Sequence, residues 1–416
     1  MWPFNRTTKQ LEQQVIDVQH ELANIQNWSL NDAEAFDVLT NGITSAAGAA
    51  VNEKTAMSVG AVYACVRLIC GAISGLPLPI YQNTEKGREK TDHEYTWLLN
   101  TESHPIWLAT SFWQYIIKSK LLHGDGFAAI ERKGAQVKAL IPLDPRSVVT
   151  EKRDGYLIYW VFPNEGEPFW LHQDDVLHFS GLGFDGERSL SPLKSAARDA
   201  VGLALATSDF SSQFFLNGAR PDFAIMADQK LTDDTIRQLR ASWIERHSGQ
   251  QRHKPAILPQ GLSVKELSIN AEDAQLLASR QFQVIDISRI FGVPPFMIGE
   301  TDKTSSWGTG VESMGIGFVK YTLKPHLDGI EKELKRKLFR RGGPNEPYFA
   351  EYTVDGLMRG DSKAQSEYYG KALGGSAGPG YMTVNEVRKL QNLPPVDGGE
   401  KLVEWSQKNA QTKTHE

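Results

Sequence analysis

Four side chains able to bind a metal ion lie close together in the middle of the sequence. His172 and His178 flank the pair Asp174 and Asp175. The six-residue spacing of the two histidines fits no common metal-ligand motif. All four also fall where strands are predicted. We therefore interpret them as polar residues at strand edges and predict no metal site.

A hydrolytic triad would require the fold to bring distant positions together. His123, Asp125 and Ser191 have suitable side chains, because such triads draw on residues far apart in sequence. The same argument fits almost any chain of this length, so it carries little weight. The sequence also contains no GxxxxGK[ST] phosphate loop, GxSxG elbow, HExxH pair or CxxC motif. We predict that the chain is not an enzyme and uses no cofactor; a soluble hydrolase is the alternative.

The overall charge argues against tight binding to nucleic acid. The 416 residues include 45 Lys plus Arg and 50 Asp plus Glu, for a formal net charge of -5. A protein that grips duplex DNA by its phosphates is expected to be basic, because counterion release drives that binding. Mild acidity suits a protein that never meets nucleic acid or that lets it pass without holding it.

Cysteine usage and the N-terminus favour a reducing compartment such as the bacterial cytoplasm. Cys65 and Cys70 are the only cysteines, and a spacing of five on one predicted helix argues against a disulfide between them. The first 26 residues are rich in Gln and Glu where a secretory signal would have an apolar run. Apolar residues at helical spacing between residues 8 and 26 predict a terminal helix, either packed or mobile, or an interaction arm.

One segment, residues 56–80, is apolar over about the length of a membrane span. Arg67 lies at its middle, and Pro77 and Pro79 close it. Its apolar residues recur at the helical spacing of a buried amphipathic helix. These are Val62, Val66, Ile69 and Ile73. We therefore predict a buried helix and no membrane association.

A change of sequence period divides the remaining chain. Short runs rich in aromatic and β-branched residues between residues 127 and 180 predict an antiparallel β module, with a turn at Asp154-Gly155. A long helix is predicted from Leu193 to Leu216, capped by Ser191 before Pro192. A compact α/β insert over 220–269 and a second helix from Glu272 to Phe291 follow. We expect two long helices that carry a small domain.

The longest helical run is predicted from Val311 to Phe339, after a polar loop. Pro325 should kink it. Its apolar stripe consists of Leu323, Leu327, Ile330, Leu334 and Leu338. Further helices are predicted from Ser362 to Leu373 and from Thr383 to Leu390, on either side of a Gly-rich break.

Six motifs in this order resemble those of tailed-phage portal proteins, in particular the shorter siphophage-type family. They are AVYACVRLICGAISGLPLPIY (61–81), LLHGDGFAAIERK (121–133), VLHFSG (176–181) followed by LSPL (190–193), FFLNGARPDFAI (214–225), VPPFMIG (293–299) and MTVNEVRKLQNLPPVDGG (382–399). Two residues depart from the family pattern: Asp125 stands where the family often has Asn, and Ser189 where it often has Gly.

The resemblance implies an α+β, multi-domain portal fold with an α/β wing, long stem helices, a small α/β clip, a kinked long helix and a helical C-terminal crown. The implied boundaries are 1–55 for an N-terminal arm and linker, 56–190 for the wing, 191–219 for the first stem helix, 220–269 for the clip, 270–295 for the second stem helix, 296–311 for a tunnel loop, 312–360 for the kinked helix and a wing strand, and 361–416 for the C-terminal crown or tail.

The resemblance also implies a function. Such portals are twelve-subunit rings at one capsid vertex, through which double-stranded DNA passes without sequence recognition. The implied partners are the large terminase ATPase, a head-completion adaptor protein, and the major capsid and scaffolding proteins. The protein would be a virion component assembled in the host bacterial cytoplasm. Another head-to-tail connector ring protein is the second interpretation.

Three groups of residues are the predicted contact sites. The tunnel loop would touch DNA phosphates through Lys303, Thr304, Ser305, Ser306 and Trp307, with an ordinary surface turn as the alternative. The clip would contact partners through Arg237, Arg240, Arg246, Arg252 and Lys254, with a solvated helix face as the alternative. A third basic run would face DNA through Lys332, Lys335, Arg336, Lys337, Arg340 and Arg341, with charge that complements the helix dipole as the alternative.

Overall fold

A computed structural model of the chain describes residues 43–85, 87–134, 136–163, 166–216, 223–227, 232, 234–238, 262–266, 273–300, 309–354, 362–374, 379–391 and 393–402. The chain divides into two compact units, Met1–Gly71 with Ser103–Ser305 (unit one) and Ala72–Glu102 with Ser306–Glu416 (unit two). The helix predicted between residues 8 and 26 lies outside the described residues, and the predicted domain boundaries stay predictions.

Helices and strands alternate along the chain, so the predicted mixed class is confirmed. The helices are α1 Glu53–Ser58, α2 Gly60–Ser74, α3 Tyr95–Asn100, α4 Ala109–His123, α5 Arg198–Leu216, α6 Asp273–Phe291, α7 Thr309–Gly317, α8 Lys324–Lys337, α9 Ser362–Leu373 and α10 Val384–Leu390. The strands are β1 Ile43–Thr44, β2 Ala50–Val51, β3 Ile80–Thr84, β4 Gly87–Thr91, β5 Glu102–His104, β6 Trp107–Leu108, β7 Gly126–Lys133, β8 Gln136–Leu143, β9 Val148–Arg153, β10 Tyr156–Val161, β11 Phe169–His172, β12 Val176–Phe179, β13 Phe223–Ala227, β14 Leu262–Glu266 and β15 Tyr348–Ala350.

The β module of unit one consists of β7 to β12 and is antiparallel, as predicted. It forms two three-stranded sheets, in the orders β12-β7-β8 and β11-β10-β9. Phe127, Tyr159 and Val176 are buried in one apolar cluster that joins residues of both sheets. Asp154 (φ 51°) and Gly155 (φ 83°) both take positive φ in the turn between β9 and β10, which is the conformation that a two-residue hairpin turn requires.

The helix that follows the β module begins later than predicted. Ser191 caps only a short 3₁₀ turn, Pro192–Lys194, and α5 begins at Arg198 rather than at Leu193. The delay has a local cause, because Ser195 ends the 3₁₀ turn with a non-helical backbone (φ -122°, ψ -104°). The α5 helix ends at Leu216, as predicted.

Helix α2 is the predicted buried helix. Its stripe of Val62, Val66, Ile69 and Ile73 is almost inaccessible to solvent. Both cysteines in it are free and buried, and burial raises the pKa of each thiol to about 12. Among the described helices, none combines the length and the hydropathy needed to cross a bilayer.

In unit two, the long predicted helix is divided into α7, a π-helical segment Phe318–Leu323 and α8. The widened π turn directly precedes Pro325, which has no N–H to donate to the carbonyl four residues earlier. The helical run is therefore interrupted just before this proline by a π segment, and the kink itself stays a prediction. The entire predicted stripe is buried, and β15 pairs with β3, which pairs with β4.

Candidate assembly and channel site

Helices α5 and α6 of unit one contact each other, as expected for the two predicted long helices. Gln283 Nε2 on α6 donates a hydrogen bond to Thr207 Oγ1 on α5 over 3.3 Å. Gln283 itself is buried. The described strands of the insert, β13 and β14, pair antiparallel from Phe223↔Glu266 to Ala227↔Leu262. Both strands lie within the α/β insert predicted over 220–269.

Both helices also carry exposed apolar side chains. On α5, Leu203 is 48% exposed and Phe210 is 60% exposed. These residues are seven positions apart and therefore lie on the same side of the helix, two turns apart. On α6, Phe282 is 58% exposed. Apolar side chains grouped on one helix face indicate a surface for protein association.

The start of α5 is held by the β1–β2 hairpin. A Cβ atom at Gly202 would lie 2.0 Å from Ser45 Oγ, so the hairpin reaches the helix only because this position has no side chain. Asp199 Oδ1 accepts a hydrogen bond from the backbone N–H of Ala46 over 3.1 Å. The first turns of α5 are therefore fixed, whereas Phe210 further along is exposed.

A buried polar network joins the β module to the segment that leads into α5. Asp125, at the start of β7, is completely buried. Its Oδ2 accepts hydrogen bonds from Arg188 Nε over 2.9 Å and from the backbone N–H of Ser189 over 3.0 Å. Its Oδ1 lies 3.1 Å from His178 Nε2, and His178 Nδ1 lies 3.0 Å from the Tyr159 hydroxyl. Since a carboxylate only accepts, the imidazole donates to Asp125 through Nε2.

The environment of Asp125 keeps it ionised. Burial acts to raise the pKa of this carboxyl, but the hydrogen bonds from His178 and Ser189 outweigh it and hold the pKa below its ordinary value. The charge is therefore compensated inside the protein and is not exposed for chemistry. Asp125 and Ser189, the two departures from the family pattern, contact each other here.

The residues of the suggested triad do not assemble. Asp125 contacts His178 rather than His123, and His123 Nε2 lies 3.0 Å from Glu53 Oε2. Ser191 Oγ donates to the backbone carbonyl of Leu122 over 3.0 Å. Among the described residues, no histidine is hydrogen-bonded to this serine, and the suggested triad of His123, Asp125 and Ser191 is not assembled.

A cleft of about 830 Å³ lies beside these groups. Its charged lining includes Glu53, Arg146 and Arg188. Glu53 Oε1 accepts a salt bridge from Lys118 over 2.8 Å, and with the His123 hydrogen bond this lowers the Glu53 pKa to about 2 despite partial burial. Arg146 pairs with Asp144 over 2.7 Å, and Arg188 pairs with Asp125. Each of these three charges therefore has an oppositely charged partner within unit one.

The histidines and aspartates considered first do not converge on a metal site. Both nitrogens of His178 have protein partners, and His172 lies at the end of β11, where its Nδ1 accepts from the backbone N–H of Asp174. Within the described part of the chain, no group of three or more His, Cys, Asp or Glu residues could hold a metal ion.

Only part of the predicted contact residues can be placed. All five predicted tunnel-loop residues, 303–307, lie outside the described residues. Of the clip residues, Arg237 lies in the helical turn 234–238, exposed and 3.6 Å from Asp234. Arg240, Arg246, Arg252 and Lys254 lie outside the described residues. The roles of these residues stay predictions.

The residues of the third basic run differ in exposure and in partners. Lys335 Nζ donates to the backbone carbonyl of Tyr348 over 2.8 Å, and Lys337 is buried. Arg336 pairs with Glu333 over 2.9 Å. Lys332 is exposed, and Arg340 and Arg341 lie exposed beyond the end of α8. The position of these charges at a helix C-terminus fits the dipole interpretation, and their contact with DNA stays a prediction.

Sequence and fold comparisons place the chain among known proteins. The phage portal protein family model matches residues 60–392. The portal protein of Enterobacteria phage HK97 is 31% identical over 86% of this chain and 84% of its own length. A probable portal protein of Streptomyces phage phiC31 is 30% identical over 89% of this chain and 82% of its own length.

A solved structure has the same fold. It is a chain of the neck of the native gene transfer agent particle, computed with C12 symmetry. The match has a TM-score of 0.55 at 19% identity and covers 82% of this chain and 92% of that chain. The chain described here belongs to the phage portal protein family.

Proposed function

We propose that copies of this chain form a ring at one vertex of a phage capsid, and that double-stranded DNA passes through the centre of the ring during packaging and ejection. The observation that carries this proposal is the pair α5–α6, which exposes apolar side chains within a chain of the portal family. Association with another copy would cover Leu203, Phe210 and Phe282.

In a ring, the exposed apolar side chains of one copy would contact the neighbouring copy. In a closed ring, each copy uses one surface toward the copy before it and another toward the copy after it. The relative in the gene transfer agent neck was computed with C12 symmetry, and twelve copies are proposed here as well. The wing, stem, clip, tunnel-loop and crown boundaries given above are proposed on the same basis.

The negative net charge of the chain suits a channel through which DNA moves. With a net charge of -5, the channel wall would carry little attraction for the duplex, so DNA could slide in either direction.

The ring itself would not hydrolyse ATP. The large terminase ATPase would dock on the clip and supply the energy, a head-completion adaptor would replace it, and the capsid and scaffolding proteins would surround the wing.

Electron microscopy of the purified protein tests the ring directly. Rings with a central hole are expected in negative stain, and compact monomers at every concentration would refute the proposal. The double variant Leu203→Asp and Phe210→Asp should abolish rings, because it places two charges in the contact between copies. Ser208→Asp is the matched control: it adds a charge on the other side of α5, at an exposed position, and should leave rings intact.

The tunnel-loop role needs a separate test. Shortening residues 302–308 should leave ring assembly intact and impair packaging or retention of DNA. Normal packaging and retention by that shortened ring would show that the loop has no such role.

A further inference from the structure

The segment between β12 and α5 presents an apolar tip to solvent. Leu182 is 88% exposed, the largest fraction among the large apolar side chains of the described residues. Phe184 and Leu190 are 43% and 59% exposed in the same segment, residues 181–190, which we call the junction loop. A loop in contact only with water would be expected to be polar at such positions.

An ion pair and several hydrogen bonds hold the junction loop in place. Besides its ion pair with Asp125, Arg188 donates through a terminal nitrogen to the carbonyl of Val148 over 2.8 Å. Asp185 Oδ1 accepts hydrogen bonds from the backbone N–H groups of Glu187 and Arg188, each over 2.8 Å. The charged side chains of the loop are thus used to fix its shape.

Close backbone contacts fix the loop further. A Cβ atom at Gly181 would lie 2.4 Å from the carbonyl oxygen of Gly124, and one at Gly124 would lie 2.4 Å from that of Leu190. The backbone N–H of Leu190 donates to the carbonyl of Leu182 over 3.1 Å. Leu182 therefore projects from a rigid support.

A rigid support of this kind favours binding. A side chain that is already ordered loses little conformational entropy when a partner covers it, and buried apolar anchors in such positions contribute most of the energy of an interface. The exposed leucine therefore has the properties of an interface anchor.

The position of the junction loop identifies the partner. The loop leads through the turn Pro192–Lys194 directly into α5, whose exposed apolar side chains form the proposed contact between copies. An interface between two copies must be large, about 800 Å² on each side or more, and three side chains on the helices alone do not supply that area.

We propose that the junction loop is part of the contact between neighbouring copies in the ring, with Leu182 buried against the adjacent copy of this chain and Asp125 and Arg188 as the residues that position it. This inference rests on the proposed ring. It assigns the loop to a second copy and not to the capsid, scaffolding or adaptor proteins.

Photo-crosslinking tests the assignment. A benzophenone amino acid at position 182, in rings purified without other phage proteins, should link each copy to another copy, and peptide mass spectrometry should identify the joined residues. Irradiation of the separated monomer fraction is the control and should give no such link. Rings that form normally but give no link between copies at position 182 would overturn the inference and leave the proposed function intact, whereas absence of rings in the unmodified protein would overturn both.

A pair of substitutions gives an independent readout. Leu182→Ser should shift the monomer–ring equilibrium so that assembly needs about tenfold more protein, because the buried leucine side chain is lost from every contact. Leu182→Met keeps an apolar side chain of similar volume and should assemble like the unmodified protein. If the serine and methionine variants assemble equally well, Leu182 does not anchor the contact.

Discussion

The β module and the α5–α6 pair belong to the same compact unit but are built on opposite principles. In the β module, Phe127 and Tyr159 are completely buried, and even the charge of Asp125 is enclosed and paired. In the helix pair, Phe210 and Phe282 are more than half exposed. The module buries its aromatic side chains within one copy, whereas these two aromatic side chains of the helices are largely open to solvent.

This difference shows where the stability of each region comes from. A fully buried aromatic side chain contributes its burial energy to a single folded copy. An exposed one contributes almost nothing until association covers it. Substitutions in the two regions should therefore separate folding from assembly, and the following predictions run from the largest expected effect on the folding of one copy to the smallest.

Phe127→Ala should destabilise a single copy the most. Removing a completely buried phenylalanine leaves a cavity between the two sheets, and the free energy of unfolding should fall by about 3–5 kcal/mol. Urea unfolding followed by tryptophan fluorescence, at a concentration where copies are monomeric, measures it. A loss below about 1 kcal/mol would mean that the module is not a tightly packed core.

Asp125→Ala should follow, with a loss of about 2–3 kcal/mol. The substitution leaves Arg188, His178 and the backbone N–H of Ser189 without their shared acceptor. Asp125→Asn is the matched control, because an amide keeps an acceptor oxygen and the side-chain shape, and it should lose less. If alanine and asparagine were equally tolerated, the network would not secure the junction loop.

The sequence predicts these two regions unequally well. Periodic patterns locate the buried stripe of α8 and both ends of α9, because burial of one helix face repeats every three to four residues. The pattern misses β9, because Thr150 to Arg153 are polar and resemble a loop. It also places the start of α5 too early, because the sequence around Ser195 does not reveal its non-helical backbone.

The Asp125 network could not be derived from local pattern at all. Arg188 and Ser189 lie 63 and 64 positions from Asp125, and nothing near either segment predicts that they meet. Asp125 and Ser189 both depart from the family pattern, but the hydrogen bond between them uses the backbone N–H of residue 189, which almost any residue would offer. Only the fold therefore shows this contact.

Glu53→Gln should cost about 1–2 kcal/mol at neutral pH and less as the pH falls below about 5. The folded-state pKa of Glu53 is lowered from its ordinary value of 4.5 to about 2, so its hydrogen bond with His123 and its ion pair with Lys118 stabilise the fold above the unfolded-state pKa. That stabilisation is lost as pH falls from about 5 toward 2, and partial solvent exposure limits its size. Urea unfolding at pH 7 and pH 3 measures the free energy of unfolding of the variant and of the unmodified protein. The difference between the two proteins should be smaller at pH 3 than at pH 7. An equal difference at both pH values would show that the ionised carboxylate is not its source.

Phe210→Ala should change the unfolding free energy of a single copy by no more than about 0.5 kcal/mol. The side chain is already 60% exposed in the folded copy, so little burial is lost, and alanine is a better helix former than phenylalanine. Phe127→Ala removes the same atoms at a buried site, which makes the two variants a matched pair. If Phe210→Ala destabilised the monomer as much as Phe127→Ala does, the helix pair would be packed within one copy, and its outward face would not need a neighbour. A near-zero effect on the monomer together with weaker ring assembly places the contribution of this phenylalanine between copies.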